Sequence, residues 1–76
     1  MKRNLAPYKI ELAPYKIELV GYKSETREYF NLNEAVQATC KFMDVYDDVK
    51  TANVFELWSN EYVKIVRDNN GDYILL

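Results

Sequence analysis

Along Tyr15-Lys16-Ile17-Glu18-Leu19, apolar and charged side chains alternate residue by residue, which is the period of a strand with one buried and one wet face. Tyr15, Ile17 and Leu19 then face a core, and Lys16 and Glu18 face solvent. Gly21 and the polar run Lys23-Ser24-Glu25-Thr26 supply a turn, and Arg27-Glu28-Tyr29-Phe30 returns as a short second strand. The period changes at Asn31-Leu32-Asn33-Glu34, which places an amide at an N-cap and Glu at N3, the reciprocal pattern that satisfies free N–H groups at a helix start. Leu32, Ala35, Val36, Thr39, Cys40, Met43 and Tyr46 follow at spacings of three and four, one apolar stripe along a helix. The spacing predicts a helix over about 32–46, ended by Asp47-Asp48, with Phe42 widening the stripe.

Beyond the helix, Val49, Ala52, Phe55 and Leu57 could extend a second one. The β-branched and aromatic content favours a strand over 52–58 instead, with Ser59-Asn60 as a turn. Glu61 to Arg67 predicts a strand with Val63 and Ile65 on one face and Tyr62, Lys64 and Val66 on the other. Asp68-Asn69-Asn70-Gly71-Asp72 is a hairpin turn, because Asn-Gly tolerates the positive φ that tight turns need, and Tyr73 to Leu76 closes the meander. The predicted class is α+β: a mostly antiparallel sheet with one helix packed on one face, in the order β-β-α-β-β-β. One helix covers one face of a sheet, so part of the other is left wet or free for binding. A hairpin, a capped helix and a meander in this order is similar to the arrangement of many small prokaryotic and phage proteins.

A duplicated strand segment precedes this domain. Residues 5–11 and 12–18 both read LAPYKIE, and residues 19–25 read LVGYKSE. Heptad spacing of Leu5, Leu12 and Leu19 suggests a coiled coil, but Pro7 and Pro14 each cost a helix interior ~3 kcal/mol. A strand has period two and the repeat period is odd, so in one continuous strand Tyr8 and Ile10 would face opposite to Tyr15 and Ile17. Pro14 also lacks the N–H that a central strand donates. Leu5, Pro7, Ile10, Leu12, Pro14, Ile17 and Leu19 therefore decide a register: one copy fills the strand position and the other is an arm, an added edge strand or a spare. Placing copy 1 there would lengthen the following loop from about four to about eleven residues, at ~0.9 kcal/mol. It would also replace Val20 by Ala13, at ~1–1.5 kcal/mol if that site is buried. Together these favour copy 2 by about 2 kcal/mol, with a slipped population of a few per cent. The expected division is an N-terminal arm over 1–14 and a single domain over 15–76.

Composition narrows the functional classes. A chain of 76 residues buries only ~60% of the surface its unfolded form exposes, and its apolar and charged content is that of a folded domain. Cys40 is alone, which rules out an internal disulfide and a multi-cysteine metal site and points to a reducing compartment. No stretch approaches a membrane span, and Lys9 and Glu11 interrupt what would be a signal segment, so the expected localisation is cytoplasmic. Residues 1–24 carry five Lys/Arg against Glu11 and Glu18, net +3, and residues 25–76 carry five against ten Asp/Glu, net −5. The basic arm (Lys2, Arg3, Lys9, Lys16, Lys23) is too sparse to favour nucleic-acid binding.

The chain contains no histidine, which removes the commonest general base. Cys40 lies on the core face of the helix and reads as a packing thiol. Asp44, Asp47 and Asp48 read as a solvated helix end, and Asp68–Asp72 lacks the bidentate Glu of a calcium loop. Gly21 and Gly71 are too few for a phosphate loop. No enzyme, metal or cofactor is therefore expected. The seven tyrosines and Trp58 suit recognition, with Tyr8, Tyr15, Tyr22, Tyr62 and Trp58 as candidate partner-binding residues. The expected function is a non-enzymatic interaction domain, of regulator or inhibitor type, binding a protein partner through a sheet edge or a Tyr-rich face. The alternative is a tandem-duplication variant, natural or engineered, informative about register rather than activity. A spare strand also predicts a homodimer by strand exchange or edge pairing.

Overall fold

The computed structural model describes residues 11–76, in the order β1 (Ala13–Leu19), β2 (Lys23–Tyr29), α1 (Leu32–Val45), β3 (Thr51–Glu56), β4 (Tyr62–Arg67), β5 (Tyr73–Leu75). The strands form one antiparallel sheet ordered β2-β1-β3-β4-β5 with α1 on one face, the α+β arrangement expected from the sequence. Both β2 and β3 pair antiparallel with β1. They are therefore parallel to each other, and α1 is the crossover that carries the chain over β1.

Copy 2 of the repeat fills β1, as its shorter connection predicts. Tyr15, Ile17 and Leu19 are buried against α1 together with Ala52 and Val54 of β3 and Ile65 of β4. The helix contributes Ala35, Val36, Thr39 and Met43, which lie on the predicted stripe. The buried Thr39 hydroxyl donates to the Ala35 carbonyl at 2.7 Å, which removes the cost of desolvating it. At the helix start Asn31 Oδ1 accepts from the Glu34 N–H at 2.8 Å. The Glu34 carboxylate reaches back one residue further than a standard capping box, to the Phe30 N–H at 3.2 Å.

Four sequence expectations are corrected. Lys23–Thr26 is not a turn but the first half of β2; the reversal is Leu19-Val20-Gly21-Tyr22, closed by Tyr22 N–H to Leu19 O at 2.9 Å with Gly21 at φ +82°. The run is polar because β2 is an edge strand: Lys23, Glu25 and Arg27 lie opposite Leu19, Ile17 and Tyr15 and border the helix instead of entering the core. Glu25 pairs there with Lys23 at 3.1 Å and Arg27 at 2.6 Å. Secondly, β3 ends at Glu56, not at residue 58. The Glu56 carboxylate accepts from the N–H groups of Trp58 and Ser59, at 2.6 and 3.2 Å, and folds 57–60 into the turn.

Thirdly, Pro14 does sit in central β1, which therefore includes two residues assigned by sequence to the arm. Its carbonyl accepts from Leu57 N–H at 3.0 Å. In an antiparallel ladder a residue's N–H and C=O point to the same neighbour, so the missing donor falls on the β3 side, one residue past the last β1–β3 pair, Tyr15↔Glu56. Proline is tolerated because it stands where that ladder stops. Fourthly, Val20 is 44% exposed, so replacing it costs little. Leu5, Pro7, Tyr8 and Ile10 lie outside the described residues, and Leu12 just ahead of β1 is partly exposed.

At the last hairpin, Gly71 alone takes a positive φ, +85°. Gly71 N–H donates to Asp68 O, and Asp68 Oδ1 accepts from the N–H groups of Asn70 and Asp72. The turn is thus organised by an aspartate and one glycine, not by an Asn-Gly pair of positive φ angles.

Candidate functional site

Successive strand residues point to opposite faces. With Tyr15, Ile17, Val54 and Ile65 under the helix, the register places Lys16 and Glu18 of β1, Asn53 and Phe55 of β3, Tyr62, Lys64 and Val66 of β4, and Ile74 of β5 on the uncovered face. Phe55 and Tyr62 are direct cross-strand partners, and their rings lie 4.9 Å apart at 31°. The Tyr62 hydroxyl donates to Asn53 Oδ1 at 2.8 Å, and Asn53 Nδ2 donates to Glu18 Oε1 at 3.0 Å. This chain of hydrogen bonds across three strands fixes the amide orientation of Asn53 and holds the Tyr62 ring over Phe55.

The turn joining β3 to β4 lies at the Phe55–Tyr62 end of the sheet. It carries Leu57 and Trp58, the latter 68% exposed, and it reverses through Asn60 at φ 64° with Asn60 N–H on Glu56 O at 2.8 Å. A left-handed residue here is tolerable because Asn is among the side chains that adopt that region most readily. Partial desolvation works to raise the Glu56 carboxyl, but the hydrogen bonds from Trp58 and Ser59 outweigh it and hold the group below its ordinary value. An anchored, ionised Glu56 thus fixes the backbone beneath an exposed tryptophan.

Carboxylates gather at this end of the sheet. The Tyr15 hydroxyl is raised first by burial and then by the fields of Glu56, Glu61 and Glu34. Beside the turn, across the Leu57–Pro14 hydrogen bond, Pro14, Thr26, Arg27, Glu28 and Tyr29 line a shallow hollow. Glu56 shares the helix-facing register of its partner Tyr15, whereas the uncovered face carries Lys16, Glu18 and Lys64.

Of the candidates taken from sequence, the structure brings Trp58 and Tyr62 to one end of the sheet. Tyr15 is 3% exposed and is removed from any surface, since its inward register makes it a core residue. Tyr22 lies in the opposite turn, with its ring 4.7 Å from Tyr46 of the helix C-cap and Lys23 Nζ 5.2 Å from the Tyr46 ring. It shares no patch with Tyr62. Phe55 and the Glu18–Asn53 pair were not singled out by sequence, although the alternation through Thr51–Glu56 does place Phe55 opposite to Val54.

Cys40 packs against the core but stays partly accessible. Burial, and then Asp44, push its thiol up, so the thiolate is disfavoured. Asp44 accepts a hydrogen bond from the Tyr73 hydroxyl. Among the described residues no three His, Cys, Asp or Glu side chains converge as a metal site would require, and no helix is long and apolar enough to cross a membrane. No protein-family model, curated protein or solved structure matches the chain.

Proposed function

We propose that this domain is a small non-enzymatic interaction module of regulator or inhibitor type, and that it binds a protein partner through the β3–β4 end of its open sheet face. The observation that carries the reading is the held Phe55–Tyr62 pair on the sheet face that α1 leaves uncovered, at the end of the sheet whose turn exposes Trp58. Trp and Tyr are the side chains that most often anchor protein interfaces, and pre-organised rings lose little entropy on binding. Charge on this face is mixed, with Lys16 and Lys64 beside Glu18, so the partner chemistry that fits is an apolar side chain flanked by charges of both signs, since complementary charge steers encounter and fixes orientation.

The test places a photo-reactive phenylalanine analogue at position 58, identifies the cross-linked protein, and then measures affinity with the purified pair. Trp58→Ser and Tyr62→Ser should each weaken binding about tenfold or more, Tyr22→Ser should change it little, and binding should weaken as salt rises. Absence of any specific cross-link, or equal affinity for all the variants, overturns the reading.

A second reading rests on the repeat: identical residues 5–11 and 12–18 beside a diverged 19–25 describe a recent duplication, natural or engineered, whose consequence is structural. Deleting residues 5–11 separates the two, because unchanged partner affinity in the shortened chain marks copy 1 as dispensable to binding.

A further inference from the structure

The seven residues of β1, Ala13-Pro14-Tyr15-Lys16-Ile17-Glu18-Leu19, recur letter for letter as Ala6-Pro7-Tyr8-Lys9-Ile10-Glu11-Leu12. Identity runs one residue past each LAPYKIE unit, so it covers the whole strand. We propose that the β1 position accepts either segment of the same chain, and that the folded protein exchanges between a register with residues 13–19 in the sheet and one with residues 6–12 in it.

Nearly every interaction of the strand cancels between the two registers. The buried positions of Tyr15, Ile17 and Leu19 pass to Tyr8, Ile10 and Leu12 with the same side chains. The ladders to β2 and β3 are made by the backbone and are unchanged. The Glu18 carboxylate that accepts from Asn53 is replaced by that of Glu11, and the proline that ends the β3 ladder recurs as Pro7. At the next position Val20 donates to Thr51 O at 3.0 Å. Ala13 carries the same N–H, and because Val20 is largely outside the core the lost side chain counts for little.

The connection to β2 is what differs. In the described register Leu19-Val20-Gly21-Tyr22 closes tightly through its hydrogen bond, and Tyr22 lies on Tyr46. In the other register residues 13–22 must join Leu12 to Lys23. Lengthening the loop from three residues to ten lowers closure roughly sixfold. Losing the turn hydrogen bond and the Tyr22–Tyr46 contact lowers it by about another fivefold. A ratio of about thirtyfold leaves the second register with ~3% of molecules. Gly21 sets that ratio, since its φ of +82° is required only by the tight turn.

The experiment is amide NMR on the full chain. Gly21→Val burdens the tight turn with a β-branched residue at positive φ and leaves a long loop indifferent, so a second set of sheet signals should rise about tenfold, to a quarter of the molecules. Adding Ile10→Pro, which spoils copy 1 as a strand, should abolish that set. As an independent measurement, Ile17→Pro should leave the chain cooperatively folded with about a thirtyfold smaller folding constant, because residues 6–12 take over, while Ile10→Pro/Ile17→Pro together should unfold it. The proposal is overturned by a single signal set in Gly21→Val, by a second set that survives Ile10→Pro, by a population that grows with protein concentration, or by Ile17→Pro unfolding as completely as the double variant.

Discussion

The guanidinium of Arg67 in β4 donates a hydrogen bond to the carbonyl of Met43 in the last turn of α1. The helix has no basic residue of its own in that turn, so the sheet supplies the cation that satisfies a free carbonyl and complements the dipole. Arg67 also stacks over the Tyr73 ring, with 5.5 Å from guanidinium carbon to centroid, and its buried Nε–H finds no acceptor among the described residues.

Truncating this side chain frees the Met43 carbonyl and removes the stacking surface. Arg67→Ala should cost about 1–3 kcal/mol in urea unfolding. Arg67→Lys should recover only part of that, because an ammonium is a point donor without the planar face that lies on Tyr73. Equal stability of the Lys variant and the wild type would show that charge alone matters here.

Tyr73 predicts an alkaline limit. Its hydroxyl is pushed up to about 12 from the ordinary 10.0, by desolvation first and by its hydrogen bond to Asp44 second. The folded state therefore keeps a proton that the unfolded chain releases. The associated stability is fully present below pH 10 and is lost as pH rises from 10 to about 12. Tyr15 and Tyr29, raised chiefly by burial, act in the same direction. Tyr73→Phe should lower the urea midpoint at neutral pH and flatten its decline above pH 10. An undiminished decline would assign the limit to the other two tyrosines.

The helix cap is a separable element. Asn31→Ala removes the acceptor of the Glu34 N–H and should cost ~1 kcal/mol. Glu34→Ala should cost less, since the Phe30 N–H it serves lies at an exposed site open to water. Thermal unfolding of both single variants and the double gives the coupling between the two halves of the cap.

Core truncations should depend on whether a substitute strand exists. Ile65 and Ile17 are equally deep, at 0% and 1% exposed. Ile65→Ala should cost the full ~2–5 kcal/mol of a buried truncation. Ile17→Ala should cost no more than about 2 kcal/mol, because beyond that the register containing Ile10 becomes the more stable one. In the Ile10→Ala background the Ile17→Ala cost should return to the larger value.

Periodicity and local chemistry by themselves determined α1 with its cap and buried stripe, the two faces of β4, and copy 2 as the occupant of β1. Those features rest on spacing along one element or on the length of one connection, and both are written in the chain. The β1–β2 turn is not legible in the sequence because Lys23-Ser24-Glu25-Thr26 has the polarity of a loop; only pairing with β1, and a position at the sheet's edge, make it a strand. Pro14 reads as foreign to a central strand because sequence does not show that the β3 ladder ends beside it. Tyr15, Tyr22, Tyr62 and Trp58 look alike as candidate binding residues. Tertiary structure sends one to the core, one to the helix C-cap and two to the β3–β4 end of the sheet, because a side chain's surroundings depend on which strand becomes its neighbour.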